Sequence, residues 1–174
     1  MSKPQTPIDA QTAFTGTVAP SGADILDADK LAQWMADNVE GFEGPVEVLK
    51  FAGGQSNPTY RLNAKSGSYV LRRKPFGVLL PSAHAVDREY KVIAGLYPTG
   101  FPVAKPFGLC TDDSVIGSMF YIMDMVEGRT IWDGAMPGSN PAERSATYEA
   151  MIDTLAALHN VDVEGAGLSD FGKP

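Results

Sequence analysis

Two adjacent arginines and one later carboxylate are the residues of this sequence best suited to chemistry. Arg72 and Arg73 close the β-prone run Tyr69-Val70-Leu71, and Glu89 lies in Asp87-Arg88-Glu89-Tyr90-Lys91. Val86, Tyr90, Ile93 and Tyr97 recur at helical spacing, and Glu89 falls on the flank of that apolar stripe. A carboxylate placed there is partly removed from water and calls for a cationic partner. Along the preceding strand Val70 and Arg72 share one face, and Tyr69, Leu71 and Arg73 share the other. Either arginine can meet Glu89 if the helix packs on the sheet. An ion pair of that kind holds a cation ready for an anionic ligand, although a purely structural pair satisfies the same pattern. A second feature is Gly53-Gly54-Gln55-Ser56-Asn57, between two β-prone runs. Glycines let a backbone approach a ligand closely, and turn amides can cradle phosphate oxygens. The stretch is not a P-loop, because no Gly-Lys-Ser/Thr follows and a strand rather than a helix comes next.

The elements that must position these residues are legible in outline. Residues 1–23, rich in Pro, Thr, Gly and Ala, read as a flexible tail. Asp27 or Asp29 caps a helix whose stripe is Leu31, Trp34, Met35 and Val39. Val46–Phe51, Thr59–Leu62 and Tyr69–Arg73 are three strands, the last two forming a hairpin over Lys65-Ser66-Gly67-Ser68. Pro81-Ser82 opens a helix running to about Gly95, and Val103–Leu109 and Met119–Met125 are two further strands. Asn140-Pro141-Ala142-Glu143 carries the cap, first-position proline and third-position Glu of another helix start. Tyr148, Met151, Ile152, Leu155 and Leu158 line one face of that helix.

Composition narrows the function classes. The 174 residues are 44% hydrophobic and 20% charged, which argues against wholesale disorder. No apolar run approaches the ~18 residues that span a bilayer, and the N-terminus lacks a signal-peptide core. A single cysteine, Cys110, excludes an internal disulfide and reads as packing. A cytoplasmic protein is expected. The charge is uneven. Seven basic residues against two acidic ones give Arg61–Lys91 a balance of +5, so in a chain of net −7 the rest carries −12. An acidic chain repels nucleic acid and anionic membrane, so the basic island points to a small anionic ligand.

The order of strand, glycine-rich turn, strand, turn, strand with a cation, then helix with an inward Glu is the logic of a kinase-type small lobe. In Phe51–Asn57, Tyr69–Pro75, Leu79–His84, Asp87–Tyr90, Met123–Gly128 and Leu155–His159 the chain resembles the aminoglycoside phosphotransferase-like kinases. It is most similar to the branch related to the kinase-like domain fused to some acyl-CoA dehydrogenases. The similarity spans about residues 45–174.

The resemblance implies an α+β fold: a protein-kinase-like small lobe, with a five-stranded antiparallel sheet and one inserted helix, followed by the first helices of a helical large lobe. The small lobe would occupy 24–126, and 127–174 would leave the hinge and begin the large lobe. Gly53, Gly54, Gln55, Ser56 and Asn57 would form the nucleotide-positioning loop. Arg72 would take the place of the usual strand-three lysine at the α/β-phosphates, with Glu89 holding it. Met123 would back the adenine pocket, and Asp124 and Val126 would offer backbone groups to adenine. Arginine still supplies a permanent cation with a planar fork suited to phosphate. ATP and Mg²⁺ are the implied cofactors, and the partners are a nucleotide, a small-molecule hydroxyl substrate and the remaining large lobe. The alternative is a nucleotide- or anion-binding module without catalysis. A hydroxyacyl thioester acceptor is suggested by the branch resemblance alone.

Phosphoryl transfer also needs an Asp at the acceptor hydroxyl and ligands for Mg²⁺. Neither His84-Ala85-Val86 nor His159-Asn160-Val161 begins the family's His-Gly-Asp loop, so no catalytic residue is assigned in this chain and the metal ligands are expected beyond residue 174. Without that turnover machinery, residues 1–174 are expected to be inactive by themselves. Asp170-Phe171-Gly172 imitates the kinase metal-binding triplet, but no catalytic loop precedes it, and it reads as a linker. His84 reads as a surface or capping residue, His159 as structural, and Trp34 and Trp132 as core or lobe contacts.

Overall fold

The computed structural model describes residues 16–53, 56–77, 84–131 and 133–172. Six strands form one antiparallel sheet: β1 (Thr17–Val18), β2 (Glu47–Phe51), β3 (Thr59–Ala64), β4 (Gly67–Arg73), β5 (Pro106–Cys110) and β6 (Phe120–Asp124), in the order β1-β2-β3-β4-β6-β5. The helices are α1 (Ala28–Asn38), α2 (Val86–Leu96) and α3 (Pro141–His159). The α+β architecture with one helix inserted after the hairpin is the expected one.

The sheet has one strand more than the five expected. Thr17 and Val18 pair with Phe51 and Lys50, and the Ala52 N–H donates to the Gly16 carbonyl. A two-residue strand leaves no periodicity to detect, so the expected tail over 1–23 gave no sign of it. Residues 1–15 lie outside the described residues.

Alternation along the strands sorts the two faces of the sheet. Tyr60, Leu62, Tyr69, Leu71, Phe120 and Ile122 bury one face against Leu31 and Met35 of α1 and Val39 just past its end. Asp27 is the cap of that helix, its side chain accepting from the Lys30 N–H. Trp34 meets Phe120 edge-on with ring centroids 4.9 Å apart. Each large side chain buried here stabilises the fold by roughly 1.5–3 kcal/mol. Cys110 is buried with this cluster, as its packing role required, and burial raises its thiol pKa.

The inserted helix begins later than Pro81-Ser82 suggests. His84 has φ 58° and Ala85 is non-helical, so the first helical residue is Val86. Residues 78–83, including Pro81 and Ser82, lie outside the described residues. The left-handed turn at His84 breaks any helix reaching α2 from upstream, and the reason lies in the site described below.

Asn140 caps α3, accepting from the Glu143 N–H, with Pro141 in the first turn. The apolar face of α3 is open: Tyr148, Met151, Ile152, Leu155 and Leu158 are 41–61% exposed. Beyond α3 the chain returns to α2. Gly95 approaches Ala166 so closely that a Cβ there would lie 2.5 Å from the Ala166 carbonyl oxygen.

Candidate nucleotide-binding site

The second face of the sheet carries the predicted chemistry. Register places Arg72 of β4 between Thr59 of β3 and Tyr121 of β6. Val70, two residues back on the same face, sits between Arg61 and Met123. Strand geometry separates Val70 from Arg72 by about 7 Å. α2 lies over this face and brings Glu89 to Arg72.

Arg72 Nε donates to Glu89 Oε2 at 2.7 Å and Nη2 to Oε1 at 3.4 Å. This two-pronged contact has the geometry that a planar guanidinium favours. Arg72 Nη1 lies 3.5 Å from Thr59 Oγ1. Three of the five guanidinium N–H groups are thus engaged among the described residues, and two are left for a ligand. Glu89 also accepts from Asn57 Nδ2 at 2.7 Å and from the Tyr121 hydroxyl at 3.2 Å. Burial, reinforced by the neighbouring Glu89 carboxylate, raises the Tyr121 phenol far above its ordinary pKa and keeps it a donor.

The two arginines have separate fates. Arg73 is 2% exposed on the core face. It donates to the Tyr60 hydroxyl at 3.2 Å, pairs with Asp24 at 3.3 Å and lies 3.8 Å from the centre of the Phe76 ring. Asp24 also takes Lys50 Nζ at 2.6 Å, and that hydrogen bond is the main reason its carboxyl pKa is lowered. Arg73 is therefore a structural cation, and Arg72 is the one that meets Glu89.

A cavity of about 630 Å³ opens at the Val70 end of this face. Phe51, Val70, Ala104 and Met123 supply apolar wall, and Gly16 and Thr17 of the N-terminal segment close one side. Asp124, Met125, Val126 and the following residues to Thr130 form its rim. The Asp124 N–H donates to the Lys105 carbonyl at 2.8 Å and is not open to a ligand. The backbone groups of Met125 and Val126 take no partner among the described residues. Across the mouth Arg61 Nη2 lies 3.5 Å from Glu127 Oε1. An apolar slot with unpaired backbone groups on its rim suits a flat heteroaromatic base, and its volume lies within the usual range for small-ligand sites.

The structure thus brings Arg72, Glu89 and Asn57 into one network, and Met123, Asp124 and Val126 to one cavity. Gly53 and the exposed Ser56 flank the glycine-rich turn, while Gly54 and Gln55 lie outside the described residues. Among the described residues no group of three or more His, Cys, Asp or Glu side chains could hold a metal ion. Asp170 is engaged by Lys91 at 2.6 Å, and Phe171 stacks beneath Arg88 at 4.5 Å, on the two residues flanking the site along α2. These contacts tie the segment after α3 to α2. Trp132 lies outside the described residues.

Sequence reasoning missed Thr59, Tyr121 and His84. The first two share the alternation that places Arg61 and Met123, so strand register could have found them. His84 was assigned to a surface or capping role. It is instead half-buried and bonds the Asn57 side chain, Nδ1 to Oδ1, at 2.9 Å.

This fold and this face define a kinase-like small lobe. The chain matches the phosphotransferase enzyme family over residues 47–174 and belongs to it. A solved structure of a Ralstonia eutropha JMP134 protein, named for the aminoglycoside phosphotransferases, superposes with a TM-score of 0.75 at 47% identity. The match covers 86% of this chain and 43% of that one. Among curated proteins, the probable acyl-CoA dehydrogenase IBR3 of Arabidopsis thaliana is 48% identical over 156 residues. Acyl-CoA dehydrogenase family member 11 of Homo sapiens is 43% identical over 151 residues. The alignments take in 85% and 84% of this chain and 19% of each relative, so the chain spans about a fifth of the length of these proteins.

Proposed function

We propose that this chain carries the ATP-binding part of a small-molecule kinase that moves the γ-phosphoryl of ATP to a substrate hydroxyl with Mg²⁺. The observation that carries the reading is the Arg72–Glu89 pair at 2.7 Å, on the same sheet face as the Met123 cavity. Adenine would enter the cavity, with the Val126 backbone on its edge and Met123 behind it. The triphosphate would then run along β4 to Arg72, under the turn that contains Gly53–Asn57. Residues 24–126, joined by the β1 strand Thr17–Val18, act as the small lobe and 127–174 as the exit from the hinge and the start of the large lobe. Bound Mg²⁺ would offset phosphate charge during transfer, and its ligands belong to the large lobe. The open apolar face of α3 supports such a partner lobe, since five large apolar side chains in water are a surface that calls for cover.

The acceptor site belongs to the same absent lobe, so fold alone does not name the substrate. The test is calorimetric titration of Mg-ATP into this chain and into the longer polypeptide that contains it. Binding with a turnover signal only in the longer protein is the expected result. Turnover by 1–174 alone contradicts the assignment of the catalytic residues. A second reading is a nucleotide- or anion-binding module without catalysis, supported by the same Arg72–Glu89 cradle in a sequence that holds no His-Gly-Asp loop. Mg-ATP binding without turnover in the longer protein would select it.

A further inference from the structure

Asn57 ends the glycine-rich turn, yet its side chain is not offered to a ligand. The residue is 3% exposed and both ends of its amide are engaged. Nδ2 donates to Glu89 Oε1 at 2.7 Å, and Oδ1 faces His84 Nδ1 at 2.9 Å. A carboxylate only accepts, so the amide must turn Nδ2 to Glu89 and Oδ1 to His84. The proton of that second bond therefore resides on His84 Nδ1, whatever the state of Nε2.

His84 reaches Asn57 from a left-handed backbone at φ 58°, a conformation uncommon outside glycine and persistent only where surroundings enforce it. It stands two residues before α2, and its carbonyl accepts from the Val86 N–H at 2.9 Å. One side chain therefore fastens the end of the turn to the start of the helix that carries Glu89.

We propose that His84 and Asn57 form a clasp: His84 holds the Asn57 amide in the one orientation that donates to Glu89, and so couples the glycine-rich turn to Arg72. Both are positioning residues and neither touches the nucleotide. If the Nδ1 donor is lost, the buried Asn57 oxygen has no partner and the amide is free to turn over. That sets oxygen against oxygen at Glu89 Oε1, whose other donor, Arg72 Nη2, is at 3.4 Å. Asn57 is then released from Glu89, which is left with Arg72 and Tyr121 as its donors. The inference rests on the nucleotide reading for its functional half and on geometry for the clasp itself.

The experiment compares His84→Gln, which keeps a donor, with His84→Met, a near-isostere without one, and adds Asn57→Asp, which cannot donate to Glu89. Side-chain NMR of the ligand-free chain follows exchange of the Asn57 Nδ2 and Arg72 Nε protons, and calorimetry follows Mg-ATP. His84→Met is expected to speed both exchanges, Asn57→Asp, which has no Nδ2, to speed that of Arg72 Nε, and each to weaken Mg-ATP binding about 10-fold, the loss of one hydrogen bond to a charged group. His84→Gln should restore most of both. Equal exchange in the Gln and Met variants overturns the clasp. Faster exchange in His84→Met with unchanged Mg-ATP affinity overturns its coupling to the ligand. If the unmodified protein fails to bind Mg-ATP, the nucleotide reading fails, while the exchange comparison still decides the clasp.

Discussion

Removing the Arg72 side chain by Arg72→Ala tests the site at its centre. In the folded protein the change takes away the 2.7 Å and 3.4 Å contacts to Glu89 and the 3.5 Å contact to Thr59. Glu89 keeps the donors of Asn57 and Tyr121, so its carboxylate is not stranded. Both partners are about one-third exposed, with side-chain exposures of 33% and 34%. Solvent screening therefore limits the loss of fold stability to about 1 kcal/mol. The ligand loses more. A free guanidinium N–H group that met a phosphate oxygen would make one hydrogen bond to a charged group, worth roughly 1.5–3 kcal/mol. That corresponds to Mg-ATP binding about 10- to 150-fold weaker. Arg72→Lys keeps the charge without the fork and should fall between the two. Calorimetric titration of the protein at fixed salt, with thermal unfolding as a control for folding, reads the effect. An affinity for Arg72→Ala within about twofold of the unmodified protein, with the fold intact, refutes the assignment of Arg72 to phosphate.

The neighbouring arginine should behave in the opposite way. Arg73→Leu leaves Asp24 without one of its cations and empties the space under Phe76, so urea unfolding should show a loss of about 3 kcal/mol or more, with Mg-ATP affinity per folded molecule unchanged. Asp24 adds a pH dependence. Its folded pKa lies below the ordinary 3.8, so its contribution is present above about that pH and is lost as pH falls through the lower folded value. Acid unfolding followed by circular dichroism should therefore lose part of its slope below about pH 4 in Asp24→Asn. Gly95→Ala places a methyl 2.5 Å from the Ala166 carbonyl oxygen, which only backbone movement relieves. A stability loss of about 1–3 kcal/mol by thermal melting is expected, and a neutral result would show that the segment after α3 does not hold α2.

Short-range chemistry made much of this legible in advance. The cap at Asp27, the stripe of Leu31 and Met35, the hairpin through Gly67 and the start of α3 at Asn140 are each encoded within a few residues. Strand alternation also put Arg72 and Arg73 on opposite faces, because side chains on a strand repeat every two residues. Helical periodicity marked Glu89, and the family resemblance added Met123 and Val126.

Contacts between distant segments are what local pattern could not supply. Which arginine met Glu89 depended on which sheet face α2 covered, and α1 had already taken the other face for the core. The sixth strand is held by β2 rather than by any propensity of Thr17 and Val18. The delayed start of α2 follows from His84, whose ring is drawn to Asn57 across 27 residues of sequence. A histidine bonded to an asparagine that is itself bonded to a glutamate leaves no periodic trace in a sequence. Only folding the glycine-rich turn against α2 brings the three together, and that long-range closure decides how Arg72 is held.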